Sequence, residues 1–223
     1  MPSPLIVSAL MPTRNRCGFI PRAIRCFQAQ QYPADWVVEL LILDDSTEPV
    51  KPLLPDDPRI KYTWQSNVYN HGIKLNQCIE LASGAFLLVW DDDDVYSTDR
   101  LARQIQPMID RQQVQMTGTS TLYYYRKDMQ KAWQYTSPKS IGWLGAIAFR
   151  KSVWEQNKFD HIVAGADYNL QRKLPAEAKL DLFDPKLVIA SIHDTNACRK
   201  NFTSNEYKPV PFETIQQLVG GDL

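Results

Sequence analysis

Residues 85–90 form an almost wholly apolar run that ends in four consecutive aspartates, Asp91-Asp92-Asp93-Asp94. Few architectures accept that combination. A strand apolar on both faces belongs in the middle of a sheet that is covered on both sides, which points to a largely parallel sheet wrapped by helices. The aspartates then stand at the carboxyl end of a central strand, where sheets of this kind gather their ligands.

The rest of the first half agrees. Residues 5–11, 37–43 and 60–64 are apolar strand patterns. Two helical patterns alternate with them, one through Phe19, Ile20, Ala23, Ile24 and Phe27, the other through Leu75, Cys78, Ile79 and Ala82. Pro21 suits the first turn of the first helix. Such alternation implies right-handed crossovers between parallel strands. The second half changes character. A helix is expected around residues 101–109, with Pro107 kinking or shortening it. Residues 114–126 and 132–136 read as one hairpin rich in Tyr and Trp. A loop at 142–145, a short helix at 165–174 and a late strand at 187–192 follow. Phe212, Ile215, Leu218 and Val219 make a helical apolar stripe that packs on this domain or on a partner. The expected fold is one α/β domain over residues 1–223, with a nucleotide-binding half (1–98) and a smaller, antiparallel acceptor-side half (99–223).

Composition narrows the function. At 223 residues and 44% apolar, the chain can bury a substantial core. Lys+Arg and Asp+Glu balance at 25 each, so no overall field draws it to nucleic acid or to an anionic membrane. The apolar run at 5–11 is too short for an export signal or a membrane span, and the cytoplasm, or the inner face of a membrane, is the expected compartment. Cys17, Cys26, Cys78 and Cys198 form no C-x-x-C pair, which argues against a zinc knuckle or a dithiol redox site.

Polar residues cluster after three of the strands: Pro12-Thr13-Arg14-Asn15-Arg16, Asp44-Asp45-Ser46, and Asp91 to Asp94. Four adjacent carboxylates repel and raise one another's pKa values. A bound Mg²⁺ or Mn²⁺, taking one or two of them with phosphate oxygens and water, relieves that repulsion; a solvated acidic turn capping the helix near Asp99 is the alternative. Asp44 and Asp45 either hold a turn or accept hydrogen bonds from a nucleoside. Together the two acidic strand ends, taken as neighbours in the sheet, favour the nucleoside. Neither a G-x-x-x-x-G-K-[ST] loop nor a G-x-G-x-x-G turn is present, so diphosphate is to be held by a cation and basic side chains.

These motifs, spread over residues 5 to about 200, resemble a family 2 glycosyltransferase of the GT-A fold. The resemblance rests on the 11–16 opening, Leu43-Asp44-Asp45-Ser46, Asn70-His71-Gly72-Ile73-Lys74-Leu75-Asn76, Trp90 with its four aspartates, Asp99-Arg100-Leu101, and Gly165-Ala166-Asp167. It implies that Pro12, Thr13, Arg14 and Arg16 line a nucleotide-sugar pocket, that Asp45 or Asp44 contacts the base, and that Lys74 lies nearby. In the D-x-D signature Asp91 and Asp92 fall on the donor and Asp93 on the cation, Mn²⁺ or Mg²⁺. Asp167 takes the place of the catalytic base, with Ala166 where the family often carries a second acid. An Asp in a helix's first turn is otherwise an ordinary dipole partner. His193 would complete the metal shell, and Arg199 with Lys200 would close over the diphosphate.

Trp143, beside Gly145, is the expected acceptor platform, although aromatics in a hairpin also serve as cross-strand core pairs. The implied reaction is a single in-line displacement that inverts the anomeric carbon, with a UDP-sugar as donor and a glycan or lipid-linked glycan as acceptor. A modified DNA base is a minority acceptor, served by a strip of Lys127, Lys131, Lys139, Arg150 and Lys151. The rivals are a nucleotidyltransferase, which would want a Gly-rich amino-terminal loop, and a degenerate nucleotide-sugar-binding module. Sugar and oligomeric state are open.

Overall fold

The strand that precedes the aspartates lies at the centre of a seven-stranded sheet. The computed structural model describes residues 4–68, 70–138, 142–196 and 200–219. The chain begins with β1 (Leu5–Thr13), α1 (Ile20–Gln28), β2 (Trp36–Asp44), β3 (Ile60–Trp64), α2 (His71–Leu81) and β4 (Phe86–Val89). It continues through β5 (Val95–Tyr96), α3 (Arg100–Asp110), β6 (Met116–Thr119), β7 (Thr121–Arg126), β8 (Lys131–Thr136), β9 (Gly145–Arg150) and α4 (Lys151–Gln156). It closes with α5 (Ala166–Arg172), β10 (Lys179–Asp181), β11 (Val188–Ser191), β12 (Tyr207–Val210) and α6 (Phe212–Val219).

The main sheet runs β10-β6-β9-β4-β1-β2-β3. Strands β1 to β4 are parallel, and β9 enters antiparallel between β4 and β6. Alternate residues of β1 feed two apolar layers: Val7, Ala9 and Met11 pack with α1 and α3, and Leu10 packs with α2, α4 and α5. All four residues of β4 are buried, as a strand covered on both faces requires. Helix α1 starts with Pro21 in its first turn, where its missing N–H is harmless. Helix α2 is capped by Asn70, whose side chain accepts from the Ile73 N–H at 3.1 Å. Its second residue must be Gly72, because a Cβ there would lie 1.9 Å from the Asp160 carbonyl oxygen. That contact seats the segment leading to α5 against the start of α2.

The second half departs from the expected hairpin. Residues 114–126 break at Ser120 into β6, in the main sheet, and β7, in a second sheet ordered β12-β8-β7-β11-β5. A register shift between Thr117 and Thr119 marks the corner, and Asp181 holds it by accepting the Ser120 N–H at 3.0 Å. A bulge is how one strand passes from sheet to sheet. The aromatics then become core: Tyr124 stands opposite Trp133, and Trp133 stacks on Phe202 at 4.1 Å. Pro107 sits within the last turn of α3, which still runs to Asp110. One topological expectation is corrected: β2 and β4 are not neighbours, since β1 lies between them. The apolar stripe of α6 packs inward through Ile215, against Val95, Tyr125 and Ile189. Among the described residues, no helix is long and apolar enough to cross a membrane.

Candidate active site

The carboxyl ends of β1 and β4 open into a cleft of about 450 Å³, within the size range of small-molecule sites. Pro12, Thr13, Arg14 and Arg16 enter it from β1 and the loop beyond, Lys74 from α2, and Asp91 to Asp94 from β4. Trp143, Gly145, Asp167 and Lys200 form the far wall. Asn15, with φ of +51°, turns the chain between the two ends of the β1 loop, a backbone state that Asn tolerates. Its amide donates to Ser46 Oγ at 2.7 Å and its side chain accepts from the Thr47 N–H at 2.9 Å, so the β1 and β2 ends are tied together.

The four aspartates have different surroundings. Asp92 accepts from Thr13 Oγ1 at 2.6 Å and from Arg16 Nη1 at 2.8 Å. Asp93 Oδ2 meets Arg16 Nη1 at 2.6 Å, His193 Nε2 at 2.9 Å and Asn196 Nδ2 at 3.3 Å. Asp94 accepts the Ser191 N–H at 3.0 Å. Burial raises the pKa of Asp91, Asp92 and Asp94, and the charge of Asp93 adds to it in each case. Asp91 is pushed up to about 7, with Asp167 contributing from across the cleft. Asp93 is the exception. Burial opposes its charge too, but the hydrogen bond from His193 and the cation of Arg16 bring it below the ordinary value. An ionised carboxylate is a donor that suits Mn²⁺ or Mg²⁺. Among the described residues no three His, Cys, Asp or Glu side chains gather into a ready-made cation site. Asp93 would hold the ion together with substrate phosphate oxygens and water, His193 bearing on it through Asp93, and the ion would supply charge for a departing diphosphate.

Three residues, Asp44, Asp45 and His193, sit differently from expectation. Asp44 is wholly buried and holds the turn after β2, accepting from the Ser46 and Val50 N–H groups and the Tyr62 hydroxyl, each at 2.8 Å. Neither its carboxylate nor that of Asp45 lines the cleft. Asp45 in turn lies beneath the cleft wall, paired with Lys74 Nζ at 2.6 Å; the same ammonium donates to the Thr13 carbonyl at 3.0 Å. His193, expected in the metal shell, stands behind Asp93 and does not line the cleft: its Nε2 meets Asp93, its Nδ1 meets Thr195 Oγ1 at 2.8 Å, and its ring is tilted against Phe19 with centres 4.7 Å apart. Arg199 lies outside the described residues. Lys200 lines the cleft, its Nζ 5.5 Å from the centre of the Tyr124 ring.

Asp167, in the first turn of α5, is half-buried. Loss of water raises its pKa, while the Tyr168 backbone, the Trp143 side chain and Lys200 pull the other way. A carboxylate so raised is a stronger base near neutral pH than a free one. The basic strip considered for DNA is not assembled. Arg150 lies opposite Phe86, at the end of β4 remote from the cleft, and Lys151 Nζ donates to the Ala82 carbonyl at 2.7 Å. Lys127 and Lys131 belong instead to the β7–β8 hairpin, and Lys139 lies outside the described residues.

Sequence reasoning missed several partners. Arg22 donates to the Asp93 carbonyl at 2.5 Å, and Thr195 and Asn196 orient His193 and Asp93. His71 lines the cleft, its pKa brought down to about 4 by burial and by Lys74 and Arg16. Arg100 is fully buried behind the β4 end, donating to the Val89 carbonyl at 2.7 Å with its guanidinium 4.0 Å from the Tyr96 ring centre. Its place in Asp99-Arg100-Leu101 was the available signal. The others depend on long-range packing.

The glycosyl transferase family 2 model matches residues 8–166, and the chain belongs to that family. Over 109 residues it is 34% identical to the UDP-Glc:alpha-D-GlcNAc-diphosphoundecaprenol beta-1,3-glucosyltransferase WfgD of Escherichia coli, covering 47% of this chain and 41% of that one. Over 107 residues it is 32% identical to the GalNAc(5)-diNAcBac-PP-undecaprenol beta-1,3-glucosyltransferase of Campylobacter jejuni, covering 45% and 33%. The chain thus spans less than half the length of the curated relatives it matches. In fold it is similar to S. aureus TarS 1-349 in complex with UDP-GlcNAc, with a TM-score of 0.70 at 16% identity, covering 98% of this chain and 66% of that one. A mannosyltransferase of Pyrobaculum calidifontis in complex with GDP-Man and Mn²⁺ follows with a TM-score of 0.63 at 15% identity, covering 85% and 56%. The mixed α/β fold with its mostly parallel central sheet is that of GT-A glycosyltransferases.

Proposed function

We propose that this domain is a cation-dependent, inverting glycosyltransferase that moves a sugar from a nucleotide diphosphate, most simply UDP, to an acceptor hydroxyl. The observation that carries the reading is the pairing across one cleft: Asp93, ionised and backed by His193, on one wall, and Asp167, with its raised pKa, on the other. Pro12 to Arg16 and Lys74 line the nucleotide end. Asp91 and Asp92 face the donor, and Asp93, oriented by His193, would hold Mn²⁺ or Mg²⁺. Asp167 takes the proton of the acceptor hydroxyl as its oxygen attacks the anomeric carbon, and a bound cation would supply charge that stabilises the departing diphosphate. Ala166, beside Asp167, leaves that carboxylate to act alone.

The acceptor class follows from the relatives, two of which are named for undecaprenol-linked substrates. A lipid-linked glycan would be met on the cytoplasmic face of a membrane. The test is a calorimetric titration with UDP, GDP, ADP and CDP, with and without Mn²⁺, on the wild type and Asp93→Ala. Manganese-dependent binding of one nucleotide, lost in the variant, is the expected result. Absence of binding for all four, with Mn²⁺ present, overturns the donor site and leaves a degenerate binding module.

A further inference from the structure

Asp167 and Gln171 stand one turn apart on α5, so their side chains leave the same face of the helix. Gln171 is buried against the loop between β8 and β9. There its amide takes both backbone groups of Leu144: the Leu144 N–H donates to Oε1 at 2.8 Å, and Nε2 donates to the Leu144 carbonyl at 2.8 Å. An amide carries one acceptor and one donor end, so this two-way bond holds the loop in a single orientation against the helix. Trp143 and Gly145 flank the clamped residue. A Cβ on Gly145 would come within 2.9 Å of Cη2 of Trp143, so the glycine lets the indole lie close over the start of β9. Tyr135 holds the indole edge-on, with ring centres 5.7 Å apart. Trp143 and Asp167 line the same wall of the cleft, and the indole is one of the groups that hold the Asp167 pKa down against burial.

We infer that Gln171 and Trp143 are positioning residues for Asp167: the Gln171 clamp fixes the 142–145 loop to α5, and the indole N–H so placed orients the carboxylate towards the acceptor hydroxyl. The inference rests on the reading of Asp167 as the base. It stands beside the expected role of Trp143 as a sugar platform: the indole lines the cleft, held edge-on by Tyr135 and lying close over Gly145. The other charged groups bearing on Asp167 are Asp91 across the cleft and Lys200.

The experiment compares Trp143→Phe, Trp143→Ala, Gln171→Leu and Asp167→Asn. One readout is UDP release from UDP-GlcNAc with Mn²⁺ as a function of pH. The other is a ¹³C NMR titration of the aspartate carboxyls in metal-free protein. Trp143→Phe keeps an aromatic ring and loses only the N–H, so it is expected to lower kcat about tenfold, as Trp143→Ala does, with KM for the donor unchanged. Its acid limb and the Asp167 resonance should both titrate at higher pH than in the wild type. Gln171→Leu should do the same; should it fail to fold, Trp143→Phe decides alone. A Trp143→Phe variant with wild-type kcat and an unmoved Asp167 titration overturns the inference while Asp167→Asn is inactive. Turnover retained in Asp167→Asn overturns the reading on which it rests.

Discussion

One sheet carries two buried carboxylate sites, and they are treated in opposite ways. Glu39, in mid-β2, is 5% exposed and fully partnered: Ser8 Oγ donates to it at 2.6 Å, the Ser83 N–H at 2.7 Å, and Lys61 forms an ion pair with it. Burial alone would raise its pKa, but these partners bring it below the ordinary value. At the carboxyl end of β4, Asp91, Asp92 and Asp94 are pushed the other way, by burial first and by one another next. Glu39 ties β1, β2 and the turn after α2 together, so its charge contributes to the fold. Asp91, Asp92 and Asp94 oppose the fold as they ionise. Charge concentrated against stability in a cleft is the physical mark of a working site.

The largest effect that could break this contrast is on function. Asp93→Ala removes the one depressed carboxylate of the quartet, and it should abolish Mn²⁺-dependent nucleotide binding and lower turnover by about a thousandfold or more. Retained binding would mean that Asp93 is no more than a partner for Arg16. Asp91→Asn is the sharper test. A carboxyl raised to about 7 from an ordinary value of 3.8 weakens the folded state as it ionises, so the metal-free protein loses stability as pH rises from about 4 towards 7. The variant should melt about 3–5 °C higher than the wild type at pH 8 without metal, and no higher at pH 4, while losing transferase activity. Equal melting at both pH values would show the quartet to be relaxed already.

The contrast also explains what could be read in advance. From β1 to β4 each element is four residues or longer, apolar at its own period, and ends in a polar cluster. The central place of β4 and its opening into the cleft followed from that pattern, but the neighbour order of β2 and β4 did not. The second half includes strands of two to four residues, β5, β10 and β12, too short for any period to stand out, whereas β11 falls within the strand expected at 187–192. Where β6 becomes β7, the switch depends on a bulge and on Asp181, more than sixty residues away. Asp44 and Asp45 were indistinguishable as a pair. Only the fold shows that one closes a turn and the other pairs with Lys74. The Gln171 clamp had no signal at all, since a glutamine in a short helix looks like surface.

Smaller effects probe the Glu39 side. Ser8 Oγ both donates to Glu39 and accepts the buried Gly84 N–H at 2.9 Å, so Ser8→Ala leaves that N–H unpaired and takes one of three partners from Glu39. Urea unfolding should show a loss of about 1–3 kcal/mol, with nucleotide binding unchanged.

Glu39→Gln is the gentlest change and the cleanest in sign. A glutamine keeps the shape and one acceptor oxygen, and it loses the charge that Lys61 meets. Lys61 is half exposed, so that part is screened, and the loss at pH 7 should be about 1 kcal/mol. Because the folded pKa lies below the ordinary 4.5, the charge stabilises the protein above that value and ceases to do so as pH falls through the folded one. Wild type and variant should therefore differ at pH 7 and converge in acid, the reverse of the Asp91→Asn pair, whose difference opens as pH rises. Two carboxyl-to-amide changes in one sheet, with opposite pH slopes in metal-free protein, would separate a charge that supports the fold from one held ready for a ligand. Parallel slopes would mean that the β4 quartet is only another structural cluster.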